Sequence, residues 1–128
     1  MVNPISGTDT SDSNMARKAQ YFEGSVEDAI TATTSATQAN SYQLTAQVSR
    51  LSTVANGTDG VKLPPAVVGM ELTIINDGAA AAQVFGTSPD TIDGVATATG
   101  VALTNAKRAK FFCVVAGKWQ SMLGAVST

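Results

Sequence analysis

Apolar and polar residues alternate along most of the chain after residue 41. In the segment 42–54, Leu44, Ala46 and Val48 fall on one side and polar residues on the other, which is the pattern of a half-buried strand. Further short apolar runs follow at 61–63, 70–76, 82–85, 91–94, 101–103, 109–116 and 119–123. Turn-forming residues, among them Asn-Gly and Asp-Gly pairs, separate the runs at intervals of about 8–12 residues. The pattern therefore predicts seven or eight short strands.

Strands of this length and spacing predict an all-β body over residues 42–128. The expected architecture is an antiparallel β-sandwich, jelly-roll-like, or a small barrel. No helical segments lie between the strands, so a parallel α/β sheet is not expected. No repeat of fixed period is evident in the sequence.

Residues 1–41 differ from the rest of the chain, because Ser and Thr account for 12 of them and their formal charge is −3. Turn- and loop-forming residues dominate the first half, and such a segment buries too little apolar surface to offset its ordering entropy. We therefore expect an extended N-terminal arm, partly disordered or ordered on a partner. Two adjacent aromatic residues, Tyr21 and Phe22, either anchor this arm on a partner or fold back on the body.

Two local structures are compatible with residues 26–36. Ser25, followed by Asp28 three positions later, has the form of a capping box, which predicts a short helix. The four threonines between residues 31 and 37 disfavour a helix and favour an extended strand. Both alternatives stay open at this point.

Composition excludes several classes of function. The chain has no histidine and one cysteine, which removes the commonest general base, the commonest transition-metal ligand and any intrachain disulfide. The formal net charge is −2, so a nucleic-acid partner is not expected. No apolar run approaches the ~20 residues of a membrane span, and the first residues lack the basic and apolar regions of a signal peptide. We therefore expect a protein that is not an enzyme, with no metal, cofactor or membrane partner.

Four side chains are candidates for a catalytic or metal-binding role, and each also has a structural interpretation. Asp90 and Asp93 lie three residues apart, and on a strand such residues face opposite sides. We expect both to be turn-forming residues. Cys113 and Trp119 lie in the last two predicted strands. We expect both in the core, because a free cysteine among apolar neighbours behaves as a small buried side chain.

Four further residues are candidates for contact with a partner. Lys107 and Arg108 begin the only basic cluster of the chain. They form either a solvated entry to a strand or a contact for an acidic partner surface. Tyr21 and Phe22 are the candidates in the arm.

The order of motifs in residues 42–128 resembles that of small virion proteins of tailed bacteriophages. The matching motifs are VKLP at 61–64, a strand leading into an N-x-G turn at 76–78, D-x-I-x-G at 90–94 and a final FxC…GxW hairpin at 111–119. Proteins of this group are head decoration, or cement, proteins, and some are associated with fibres. The resemblance implies no catalytic residues.

The same resemblance implies a place in the virion. A decoration protein of this kind is a homotrimer that binds the major capsid protein on the capsid surface, after synthesis in the cytoplasm of the bacterial host. Its terminal arm reaches over a neighbouring capsid subunit. The alternative is a tail-fibre or receptor-binding β module that recognises host surface glycans.

Overall fold

The structure of the protein, a computed structural model, describes residues 24–124 and contains ten strands and no helix in that range. The strands are β1 (Val26–Thr31), β2 (Tyr42–Gln43), β3 (Val48–Thr53), β4 (Gly60–Lys62), β5 (Glu71–Asn76), β6 (Ala82–Phe85), β7 (Thr91–Ile92), β8 (Val101–Leu103), β9 (Lys107–Val115) and β10 (Lys118–Gly124). The expectation of an all-β protein is confirmed for these residues.

The chain winds between two sheets that share one core. A six-stranded sheet has the order β1-β3-β5-β9-β10-β7, and a four-stranded sheet has the order β2-β4-β6-β8. From β1 to β8, each successive strand therefore lies in the sheet opposite to the strand before it. Val26 lies beside Val48, and Val48 lies beside Thr73, in parallel register. This arrangement is the winding of a β-solenoid, and the hairpin of β9 and β10 then adds to β5.

The sheets are mixed, whereas antiparallel neighbours were expected. Five of the eight strand pairs in the described range are parallel. Alternation along a strand shows which side chains face inward, but it does not specify the neighbouring strand or its direction. The coils also differ in length, because Tyr42 pairs with Val61 and Val61 pairs with Val84. No fixed sequence period therefore marks them.

The prediction of a short helix over residues 26–36 is wrong, and the alternative of an extended strand is confirmed. Ser25 does not cap a helix, because its Oγ accepts a hydrogen bond from the backbone N–H of Gln47 at 2.9 Å. Ile30 is buried in the core, and β-branched residues such as Ile30 and Thr31 favour strands. The body therefore begins well before Tyr42, and residues 24–41 belong to it rather than to an arm.

Among residues 24–124, strand β1 lies at one edge of the larger sheet and is irregular. Its register with β3 shifts between Glu27 and Ile30 and again between Ile30 and Thr31. Ala29, which lies within the first shift, has a φ of +59°, a left-handed conformation that is uncommon for a residue with a side chain. The row of backbone groups on this edge is therefore interrupted.

One hydrophobic core joins the two sheets. It includes Leu51, Leu72 and Ile74 from the larger sheet, and Val61 and Val84 from the smaller one. The side chains of Trp119 and Phe111 are the largest that are fully buried, and Cys113 is buried beside them. The indole N–H of Trp119 donates a hydrogen bond to the carbonyl of Pro64 at 3.3 Å. The expected core positions of Cys113 and Trp119 are thus confirmed.

Asn76 is the polar side chain that ties this core to its turns. It is fully buried at the end of β5, where its amide donates to the carbonyls of Leu103 at 2.8 Å and Ala80 at 3.0 Å. Its side-chain oxygen accepts the N–H of Gly78 at 2.9 Å. A side chain at position 78 would lie within 2.5 Å of the backbone of Val54, so this turn requires glycine.

Arg50 joins three segments on the outer surface of the larger sheet. Its guanidinium contacts the carboxylates of Asp28 on β1 and Asp77 in the turn after β5, each at 2.7 Å. The hydrogen bond from Arg50, followed by that from the N–H of Ala29, holds the pKa of Asp28 below its ordinary value. The hydrogen bond to Asp28, followed by that to Asp77, raises the pKa of Arg50.

Replacing Asn76 by alanine is expected to lower the free energy of unfolding by about 2–4 kcal/mol, because two carbonyls and one N–H lose a buried partner. Urea denaturation followed by the fluorescence of Trp119 measures the change. Asn105→Ala is the matched control, since Asn105 is exposed and its replacement should change stability by no more than about 0.5 kcal/mol. Equal stability of the two variants would contradict the structural role of Asn76.

The contact between Arg50 and Asp28 predicts a particular pH dependence. A lowered folded-state pKa stabilises the protein above the unfolded pKa, and this contribution is lost as the pH falls through the folded value. Asp28→Asn should therefore reduce the loss of stability on acidification below about pH 4, while changing stability near neutrality only slightly, because the pair is exposed. Acid titrations of the unfolding midpoint test this. Arg50→Gln should flatten the same region, and an unchanged acid profile in both variants would disprove it.

Candidate partner interface

The two basic candidates lie at the start of β9, on opposite faces of the larger sheet. Arg108 is exposed on the outer face, in register with Ile75 on β5 and Gly124 on β10. Lys107 is half-buried and lines a small depression of ≈ 180 Å³ with Leu103 and Leu123. Neither basic side chain forms an ion pair with an acidic residue between Gly24 and Gly124. Both charges are therefore available to a partner.

Lys110 belongs to the same basic cluster of the sequence but differs in its contacts. Its ammonium lies 3.2 Å from the carboxylate of Glu71 on the neighbouring strand β5. Both side chains are about half exposed, so the pair contributes little to stability. It nevertheless offsets the charge of Lys110, so the unpaired positive charge of this cluster lies at Lys107 and Arg108.

The aromatic candidates Tyr21 and Phe22 lie outside the described residues. The described chain starts at Gly24, whose N–H donates to the side-chain oxygen of Gln47 at 2.9 Å. The carbonyl of Ser25 accepts the N–H of Val48 at 3.1 Å. The point where the arm joins the body is therefore held against the segment that leads into β3.

A second feature of the body is a groove of ≈ 480 Å³ with a mostly apolar lining, and we call it the apolar groove. Its lining residues come from three separate parts of the chain and are Gln43, Leu44, Thr45, Pro64, Pro65, Val67 and Met70. The sequence predicted no surface here, because the alternating pattern of strands does not extend into the loop 64–70. The adjacent prolines followed by two valines were the available signal, since prolines end a strand and leave the valines outside the sheet.

Four exposed valines lie next to this groove, and we call them the valine tip. They are Val67 and Val68 in the loop after β4, and Val114 and Val115 at the end of β9, each 55–66% exposed. The loop is held against β9, because Gly69 N–H donates to Cys113 O at 2.8 Å and Cys113 N–H donates to Met70 O at 3.0 Å. A contiguous group of exposed apolar side chains is the usual mark of a protein-binding surface.

The other end of the final hairpin exposes a second, smaller apolar area. Met122 and Leu123 are 60% and 67% exposed, and Met122 lies opposite Lys110 in the ladder of β9 and β10. Leu123 also lines the depression that holds Lys107. Apolar and basic side chains therefore adjoin each other at this end.

The acidic candidates are engaged in holding loops. The carboxylate of Asp90 accepts the N–H of Ala66 at 2.7 Å. The carboxylate of Asp93 accepts hydrogen bonds from the backbone N–H of Ser121 at 2.8 Å and from its hydroxyl. Asp93 also has a φ of +52°, as expected of a turn-forming residue.

A polar groove of ≈ 760 Å³ lies along β7 and β10. It is lined by Thr91, Asp93, Gly94, Lys118, Trp119, Gln120 and Ser121. Trp119 is buried, so it offers no exposed aromatic face to a ligand. The polar side chains of this groove nevertheless form a second candidate surface for ligand binding.

Over residues 24–124, no group of three or more Cys, Asp or Glu side chains is arranged to hold a metal ion. Cys113 is buried, and its Sγ lies 3.2 Å from the carbonyl oxygen of Val115. Within the same residues, no helix is long and apolar enough to cross a membrane.

Comparison with known proteins adds no relative to this description. No protein-family model, no curated protein and no solved structure matches the chain.

Proposed function

We propose that the protein is a capsid decoration, or cement, protein that binds the outside of an assembled phage head and stabilises it. The observation that carries this proposal is the valine tip, an exposed apolar surface on a body in which Asp90 and Asp93 hold loops through hydrogen bonds. Surfaces of this kind bind other proteins. The order of motifs in residues 42–128, which resembles that of tailed-phage virion proteins, supports the same class.

A cement protein acts by mass action. It binds the assembled shell and not the free capsid subunits, so every bound copy shifts the equilibrium towards the assembled state. A homotrimer strengthens this effect, because three weak contacts held in one particle act at a high effective concentration. The protein needs no catalytic group, cofactor or metal for this function, and we propose that it is not an enzyme.

Two further contacts accompany the valine tip in this proposal. The N-terminal arm, with Tyr21 and Phe22, extends over the major capsid protein on the virion surface. Lys107 and Arg108 contact an acidic surface, because no acidic residue of the described body neutralises them. The body that carries these groups acts as one sandwich-like unit, since residues of both sheets contribute to one core.

The polar groove favours a second candidate function, a tail-fibre or receptor-binding module for host glycans. Asp93, Lys118 and Gln120 offer hydrogen-bonding groups to a sugar. The burial of Trp119 weakens this alternative, because sugar sites commonly stack a sugar ring on an exposed aromatic face. Binding of the isolated protein to a glycan array would favour this function over decoration.

Deletion of residues 1–23 should release the protein from heads while the body stays folded. The deletion ends before Gly24, which is the first residue with a described contact to the body. Co-sedimentation with heads assembled from the major capsid protein of the same phage measures binding, and circular dichroism measures folding. Full retention of the deleted chain on heads would contradict the proposed role of the arm.

A charge variant tests the contribution of the basic pair separately from that of the arm. Lys107→Glu combined with Arg108→Glu should weaken head binding by about three- to tenfold, with the larger loss at low salt. Asn56→Glu is the control, because Asn56 is exposed in the connection between β3 and β4 and belongs to none of the proposed contact surfaces. Equal head binding by the double variant and the control would contradict a contact of Lys107 and Arg108 with the capsid.

The proposed homotrimer predicts a solution mass near three times 13.0 kDa. Light scattering of the purified full-length chain measures this mass directly. A mass that stays at 13.0 kDa over a wide concentration range would contradict a trimer that forms before binding.

A further inference from the structure

The apolar groove lacks a cover among residues 24–124. Five of its seven lining residues are apolar, and two of these, Val67 and Pro65, are exposed. The only polar side chains in the lining are those of Gln43 and Thr45. Exposed apolar surface of this kind is costly in water, and the volume of ≈ 480 Å³ is ample for an aromatic side chain.

The described chain begins close in strand register to Thr45, one of the residues that line this groove. Val26 and Val48 lie in parallel register, so Gly24 is two residues before one member of this pair and Thr45 is three residues before the other. The hydrogen bond from Gly24 N–H to the Gln47 side chain holds this end in place. Thr45, which lines the groove, is only two residues from Gln47.

The residues just before Gly24 have the reach and the chemistry to fill the groove. Phe22 lies two residues before Gly24, and two extended residues span up to about 7 Å. The two residues from Gln47 to Thr45 span no more than this distance. Tyr21 and Phe22 are adjacent aromatic residues, and in an extended chain adjacent side chains point in opposite directions. Only one of them can therefore enter the groove.

We propose that Phe22 of the same chain docks in the apolar groove and fixes the arm to the body. Phe22 is the better fit of the two aromatic residues, because it brings no hydroxyl that would need a partner between Pro64, Val67 and Met70. Tyr21 then points away from the body. The docking describes the free protein, before the arm extends over a capsid subunit, so it holds or fails independently of the capsid function.

The test observes Met70, which lines the groove, by NMR of the full-length chain with ¹³C-labelled methionine methyl groups. A phenyl ring over Met70 shifts its methyl signal, and Phe22→Ala should remove this ring-current shift. Tyr21→Ala is the matched control and should leave most of the shift in place. Met122 is the internal reference, since it is exposed and lines neither groove.

Mixing distinguishes docking in the same chain from docking between copies. A labelled Phe22→Ala chain is combined with an unlabelled chain of natural sequence. If the shift of Met70 returns on mixing, the occupant is a second copy and the proposal is overturned. If the shift of Met70 is the same in the natural chain and in Phe22→Ala, the groove does not hold Phe22 and the proposal is also overturned.

A second measurement guards against an effect of misfolding. Phe22→Leu keeps an apolar side chain without a ring, so it should lose the ring-current shift while keeping an unchanged Met122 signal and Trp119 fluorescence. A hydrophobic dye should bind more strongly to Phe22→Ala than to Phe22→Leu, because only alanine leaves the groove empty. Equal dye binding by Phe22→Ala and the natural chain would contradict the proposal.

Discussion

The fold depends on the burial of two sheets against each other around a single core. Because successive strands up to β8 lie in opposite sheets, the chain must cross the edge of the body after almost every strand. Where a connection passes close to the backbone of a neighbouring segment, only a small residue fits. The contact of Gly78 with the backbone of Val54 is one example. The chain has many Ala, Ser, Thr and Gly residues, and only 14% of its residues are charged. This composition is consistent with the winding.

The sequence predicted which face of each strand is buried better than it predicted which strands pair with each other. Leu44, Phe111 and Trp119 are buried as the alternating pattern indicated, because the period of a strand depends only on its own residues. The parallel stacking of β1, β3 and β5 was not predictable, since it depends on which coil lies beside which, and that information is spread over more than 40 residues. The helix alternative at 26–36 failed for a related reason. The local capping pattern of Ser25 was overridden by its tertiary contact with Gln47.

The candidate interface also combines residues that the sequence identified with a surface that only the fold brings together. Lys107 and Arg108 were recognisable as a local cluster of charge, and the structure leaves both without an acidic partner in the described residues. The apolar groove was not recognisable, because its lining comes from segments around Leu44, Pro64 and Met70 that only the fold brings together. The apolar groove is thus a product of the winding of the chain.

The irregular edge at β1 limits how copies of this chain can combine. A regular edge strand exposes an unbroken row of N–H and C=O groups, and another copy can extend the sheet along it without end. Here the two register shifts and the left-handed Ala29 interrupt that row, as bulges do in natural proteins that resist edge-to-edge aggregation. Over residues 24–124, an edge interrupted in this way is a poor template for strand addition by another copy.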